Sequence, residues 1–249
     1  MAVAEKPLYY LSIHEAQQLI KDRKLSPVDL TKAVLERIHA VDGQLHAYIN
    51  LMAESALREA SAAEAEIAKG KWRGPMHGIP IAVKDQLDVE GAPARIRQFT
   101  KGVGDATAVR KLREAGAIMM GKLHMSSLPD TELPIPRNPW NTEHITGGSS
   151  TGSGAALAGG LCLGSLGEDT AGSIRNPSAF CGLAGLKATY GRVSRHGLAP
   201  LSWSLDHCGP MARVVEDLAY MLNAIAGHDP KDPTTSRVPQ TDYVRALRA

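Results

Sequence analysis

Gly78-Ile79-Pro80-Ile81-Ala82-Val83-Lys84-Asp85 is the stretch on which the fold turns. Its apolar residues run without alternation from Ile79 to Val83 and end on a charge. A strand buried on both faces reads this way, because neither side of its pleat meets water. Outward from it, Ala106 to Ala115 sets Val109 and Leu112 on one helical face and is closed by Gly116. Ala117-Ile118-Met119-Met120 is a second short apolar run. A small-residue helix from Gly154 to Gly160 leads into a third, Leu161-Cys162-Leu163-Gly164-Ser165-Leu166. Helices alternating with short buried strands predict an α/β fold, a mixed β-sheet core flanked by helices on both faces.

The region before this core reads as helical. Ser12-Ile13-His14-Glu15 is a capping box, followed by Ala16, Leu19 and Ile20 at helical spacing. Ser26-Pro27-Val28-Asp29 starts a second helix, whose stripe of Leu30, Val34, Leu35, Ile38 and Val41 is expected to stop at Gly43. An Ala-rich third helix runs from Ala53 to Lys69, with Gly70 as its terminator. Arg213 to Ala226 repeats the amphipathic pattern, and the polar, Pro-bearing tail after it reads as a linker. The expectation is one domain over 1–249: a helical segment (1–72), a catalytic core (73–227) and a polar tail (228–249).

Composition narrows the function. Among 249 residues, 28 Lys+Arg stand against 26 Asp+Glu, a net charge of +2 that gives no electrostatic footprint for nucleic acid. No apolar run approaches the ~18 residues of a membrane span. MAVAEKPLYY lacks the pattern of a secretory signal. Cys162, Cys181 and Cys208 are odd in number and far apart, which suits a reducing, cytoplasmic setting over a disulfide framework. With 24 glycines and only 4% aromatics, some part of the chain needs close backbone approach.

Several chemistries can be set aside. Gly116-x4-Gly121-Lys122 nearly matches a phosphate loop, but Leu123 stands where a metal-holding hydroxyl belongs, and the intervening residues suit a strand. His77, His124, His144, His196 and His207 are scattered and show no metal-ligand spacing, so neither metal nor cofactor is expected. Gly148-Ser149-Ser150-Thr151-Gly152 formally fits a nucleophile elbow, with Asp169 and His196 or His207 in the usual chain order. That reading needs a strand directly before it, and Trp140 to Thr146 is too polar and turn-rich to supply one.

Two loops remain, each presenting a serine among small residues: Gly147-Gly148-Ser149-Ser150 and Asp169-Thr170-Ala171-Gly172-Ser173. Read blandly, both are tight turns. Read functionally, small residues let backbone N–H groups face an anion. Lys84, at the end of the buried run, favours the functional reading, because a buried lysine must find partners or lose its proton and so become a base.

These loops, with Gly167-Glu168-Asp169 leading into the second and Ser173-Ile174-Arg175 leaving it, resemble the amidase signature family. Gly78 to Asp85, Cys181-Gly182-Leu183-Ala184-Gly185-Leu186-Lys187 and Tyr190-Gly191-Arg192-Val193-Ser194 carry the same resemblance. The resemblance implies amide hydrolysis by a Ser–Ser–Lys triad. Ser173 is then the nucleophile, Ser149 the relay that follows a cis peptide, and Lys84 the base. Thr170, Ala171 and Gly172 are implied to offer oxyanion N–H groups, with Met125, Ser126, Gly148 and Ser150 as substrate contacts.

Thr151 and Ala171 stand where the family usually has glycine. The segment from Lys84 to Ser149 is shorter than the family pattern, and the chain has about half the usual length. An uncovered sheet would then favour a homo-oligomer. The expected partner is a small-molecule amide, with no direct nucleic acid and no membrane. Two alternatives stay open: a truncated, catalytically impaired binding or assembly partner, and a glutaminase-type subunit of a tRNA-dependent amidotransferase.

Overall fold

Ser12 caps the first helix, α1 (Ile13–Lys21), and its reciprocal bond with Glu15 completes the expected capping box. Ser26 caps α2 (Pro27–Leu45), with Pro27 in its first turn. Gly43 does not end α2. The helix continues to Leu45 and stops at His46, which takes the left-handed conformation (φ +54°). Strand β1 (Tyr48–Leu51) follows, then α3 (Ala53–Ala68). The decisive stretch forms β2 (Pro80–Lys84), α4 (Thr107–Glu114) leads into β3 (Ile118–Leu123), and a ribbon of β4 (Arg137–Asn138) and β5 (Asn141–Ile145) comes next. After it stand α5 (Thr151–Gly159), β6 (Gly164–Glu168), α6 (Arg175–Phe180) and β7 (Ala184–Gly185). Strand β8 (Cys208–Ala212), α7 (Val215–Ile225) and α8 (Tyr243–Ala246) close the order. This computed structural model describes residues 6–93, 104–125 and 133–247.

The main sheet has the order β1-β3-β2-β6-β8-β7. Its centre is parallel, β3 with β2 and β2 with β6, while β1, β8 and β7 join antiparallel. It is therefore the mixed sheet the alternation predicted. Strands β2 and β3 are buried along their full length, as their unbroken apolar runs require. Ile79, Ile81, Val83, Ile118, Met119, Leu157 and Leu166 join Ile13, Ile20 and Leu30 from the N-terminal helices in one hydrophobic core.

Gly121 shows why a strand carries glycine. Its φ is +138°, and a Cβ there would stand 2.1 Å from the Asn50 carbonyl oxygen. The missing side chain lets β1 pair with β3 where Gly121 faces Leu51, just beyond the register slip between Tyr48 and Asn50.

The tail departs from its reading as a linker. Asp229, Asp232 and Thr235 are buried, Ser194 donates its hydroxyl to Asp229 at 2.6 Å, and Ser236 N–H donates to the Gly191 carbonyl at 2.9 Å. Its polar side chains fold back as acceptors for loop backbone. Among the described residues, no helix is long and apolar enough to cross a membrane.

Candidate active site

Parallel pairing brings the C-terminal ends of β2 and β6 side by side, so Lys84 and Glu168 emerge together. Both side chains are fully buried. The Lys84 ammonium donates to Ser149 Oγ at 2.7 Å and to Glu168 Oε2 at 3.1 Å. Burial pushes the Lys84 pKa below the ordinary lysine range, against the opposing pull of Glu168, Asp169 and Asp206. A lysine in this position can shed its proton and still has a hydroxyl within reach.

That hydroxyl sits on the first serine loop. The Gly148–Ser149 peptide is cis, and Gly148 N–H donates to Asn176 Oδ1 at 3.0 Å. The next residue, Ser150, is fully buried; its N–H donates to the Ser173 carbonyl at 3.2 Å and its hydroxyl to the Glu168 carbonyl at 3.4 Å. The Ser150 side chain, expected as a substrate contact, thus faces the protein interior. Ser173 is half-buried in the turn that opens α6, and Ser149 is nearly buried beside Lys84.

Asp169 organises the second loop. Its carboxylate accepts from the N–H groups of Gly172 (2.8 Å), Ile174 (3.2 Å) and Arg175 (3.3 Å). It also accepts from the Arg175 guanidinium at 3.0 and 3.1 Å, and lies 3.0 Å from Lys187 Nζ. Burial by itself would raise the Asp169 pKa; the donors outweigh it and hold the carboxyl well below the usual carboxylate range. One expected oxyanion donor is thereby engaged, because Gly172 N–H points at Asp169. The left-handed conformation falls on Gly172 (φ +131°), and Ala171 carries no positive φ. Ala171 is exposed and Thr170 half-buried, so the Thr170–Ala171 backbone borders solvent beside Ser173.

The elbow reading meets a different geometry. Asn141–Ile145 does form a strand, contrary to expectation, because its polar residues pair in an exposed ribbon with no need of a core. That ribbon lies outside the main sheet. His207 meets Asp169 through backbone, its carbonyl accepting the Asp169 N–H at 2.9 Å, while its Nδ1 stands 2.5 Å from the Leu205 carbonyl oxygen. Of the expected pocket residues, Met125 is buried against Ala199, Gly148 is half-exposed at the loop, and Ser126 lies outside the described residues.

Glu168 and Asp206 were missed. The Thr170 hydroxyl bridges them, 2.5 Å from Glu168 Oε1 and 2.7 Å from Asp206 Oδ1. A signal for Glu168 did exist: a carboxylate closing a buried apolar run, as Lys84 closes another. Asp206 lies on a loop whose approach to the site depends on tertiary folding.

A mixed sheet whose strand ends carry a buried lysine and two serine loops defines an amidase-type fold. The sequence profile of the amidase family matches residues 29–249, and the chain belongs to that family. It is 47% identical to a glutamyl-tRNA(Gln) amidotransferase subunit from Moorella thermoacetica, over 97% of this chain and 52% of that protein. It is 44% identical to the putative amidase AmiD of Mycobacterium bovis, over 98% of this chain and 53% of that one. The native peptide amidase of Stenotrophomonas maltophilia superposes with a TM-score of 0.87 at 37% identity, covering 99% of this chain and 53% of that enzyme. The chain spans about half the length of the relatives it matches.

Proposed function

We propose that this chain carries the catalytic machinery of an amide hydrolase acting on non-peptide carbon–nitrogen bonds of small molecules. The observation that carries the reading is the buried 2.7 Å contact of Lys84 Nζ with Ser149 Oγ, on a loop bonded to the Ser173 loop. In the reaction, neutral Lys84 takes the Ser149 proton as Ser149 takes that of Ser173, and the Ser173 oxygen attacks the amide carbonyl. The oxyanion forms against the backbone N–H groups of Thr170 and Ala171, with that of Ser173 beside them. Protons return along the same path to the leaving nitrogen, and water then cleaves the acyl-enzyme. Asp169 shapes the loop and takes no part in proton transfer.

The test is a panel of aliphatic and aryl amides with the wild-type chain and Ser173→Ala, its mass in solution measured alongside. Turnover that persists in Ser173→Ala would overturn the assignment. A second reading, a glutaminase-type subunit working with partner chains, draws support from the likeness to the Moorella protein. Ammonia release from glutamine, dependent on Ser173 and on added partner subunits, would favour it. A mass of twice the chain would favour the homo-oligomer, and binding without turnover the assembly-partner reading.

A further inference from the structure

We propose that Glu168 is a positioning residue that poises Lys84 as a base, holding its amine on Ser149 and offsetting the ammonium formed when it takes a proton. This rests on the reading of Lys84 as the base. A buried lysine with no carboxylate beside it loses its proton easily and then binds one too weakly to draw it from a hydroxyl. A carboxylate in contact restores part of that basicity and fixes where the amine points.

Glu168 has the geometry for both tasks. Its side chain is fully buried at the end of β6, and Oε2 accepts from Lys84 Nζ at 3.1 Å. Oε1 lies 2.5 Å from the Thr170 hydroxyl, which lies 2.7 Å from Asp206 Oδ1. Asp206 is anchored in turn by the N–H groups of Leu201 (2.8 Å) and Ser202 (2.9 Å). A chain of polar contacts thus runs from the 201–206 loop through Thr170 and Glu168 to Lys84 and Ser149. It fixes both oxygens of Glu168.

The other charged groups around the pair are accounted for. Asp169 acts on Lys84 through space, and its carboxylate is taken up by Arg175 and Lys187. Asp206 also acts through space and already accepts backbone bonds. Cys208, opposite Glu168 on β8, has its thiol pushed up to about 12, chiefly by burial, and stays uncharged at neutral pH. On the β3 side Lys122 stands 3.0 Å from Asp85 Oδ1, a separate ion pair. Among the described residues, Glu168 is the carboxylate in direct contact with Lys84.

The experiment follows the Lys84 titration itself. Full-length protein carrying carbon-13 at the lysine side chains is titrated by NMR, with the Lys84 signal assigned through Lys84→Met. In Glu168→Gln the Lys84 midpoint should fall by about one to three pH units, since the ammonium loses its opposite charge. Glu168→Asp should recover part of that shift. An unmoved midpoint in a folded Glu168→Gln protein overturns the proposal. Should that variant fail to fold, Thr170→Val, which frees Oε1, should lower the midpoint by a smaller amount, and no shift there counts equally against it.

Capture of Ser173 by a fluorophosphonate, measured against pH, reads the consequence. In Glu168→Gln the acid limb should move to lower pH with the midpoint, and the plateau rate should fall. A moved midpoint with Ser173 uncaptured even in the wild-type chain would sink the amidase reading while leaving the Lys84–Glu168 coupling in place.

Discussion

The Ser150 N–H donates to the carbonyl oxygen of Ser173 at 3.2 Å, so the two serine loops are joined by backbone. Both ends are backbone atoms, so the bond survives replacement of either serine by alanine. It separates the roles of adjacent serines: Ser149 faces Lys84, while Ser150 turns inward to the Glu168 carbonyl.

Ser150→Ala should therefore be mild. It forfeits one long hydroxyl bond worth about 1 kcal/mol and leaves the loop tie intact. Ser173→Ala should lower amide turnover by about 10³-fold or more, with Ser149→Ala and Lys84→Ala close behind. Steady-state rates on one shared amide check the order, and the reverse ranking of Ser150 and Ser173 would restore the elbow reading.

Turnover should depend on pH through Lys84. Burial lowers its pKa, and in the proposed mechanism the neutral amine is the active form. Activity should accordingly rise with pH as Lys84 gives up its proton, along a limb below the ordinary lysine range. A pH–rate profile checks this, and a limb that tracks a group other than Lys84 would argue against the base assignment.

Asp169→Asn should destabilise the fold by about 3 kcal/mol, because it strips charge from a buried acceptor that serves three N–H groups, Arg175 and Lys187. The Asp169 pKa is depressed in the folded chain. Its contribution is thus present above the unfolded carboxyl value of ~3.9 and is lost as pH falls from there toward the folded pKa. Urea unfolding at neutral and acid pH should show the Asn variant lower at neutral pH and closer to wild type in acid.

Two glycines should respond to alanine in opposite directions. Gly121→Ala drives a Cβ into the Asn50 carbonyl at a positive φ and should cost about 3 kcal/mol. Gly43→Ala, inside α2 with nothing within 4 Å of the new Cβ, should stabilise by about 0.5–1 kcal/mol. Thermal melts of both variants provide the comparison.

Local chemistry wrote much of this protein into its sequence. The caps of α1 and α2 were legible because capping is a contact between near neighbours. Strands β2 and β3 were legible because an unbroken apolar run has nowhere to go but a buried sheet. The end of α2 was not, since the packing of Leu45 in the core outweighs the helix propensity lost at Gly43. Nor was β8, whose Gly209 and Pro210 argue against a strand until β6 and β7 pair with it. The short motifs also marked Lys84, Ser149 and Ser173. Tertiary structure alone decided what surrounds them: the contact of Lys84 with Ser149, the capture of Gly172 N–H by Asp169, and the burial of Glu168 against Lys84. Such contacts join residues up to 84 positions apart. They depend on sheet order and loop placement, which a linear pattern does not encode.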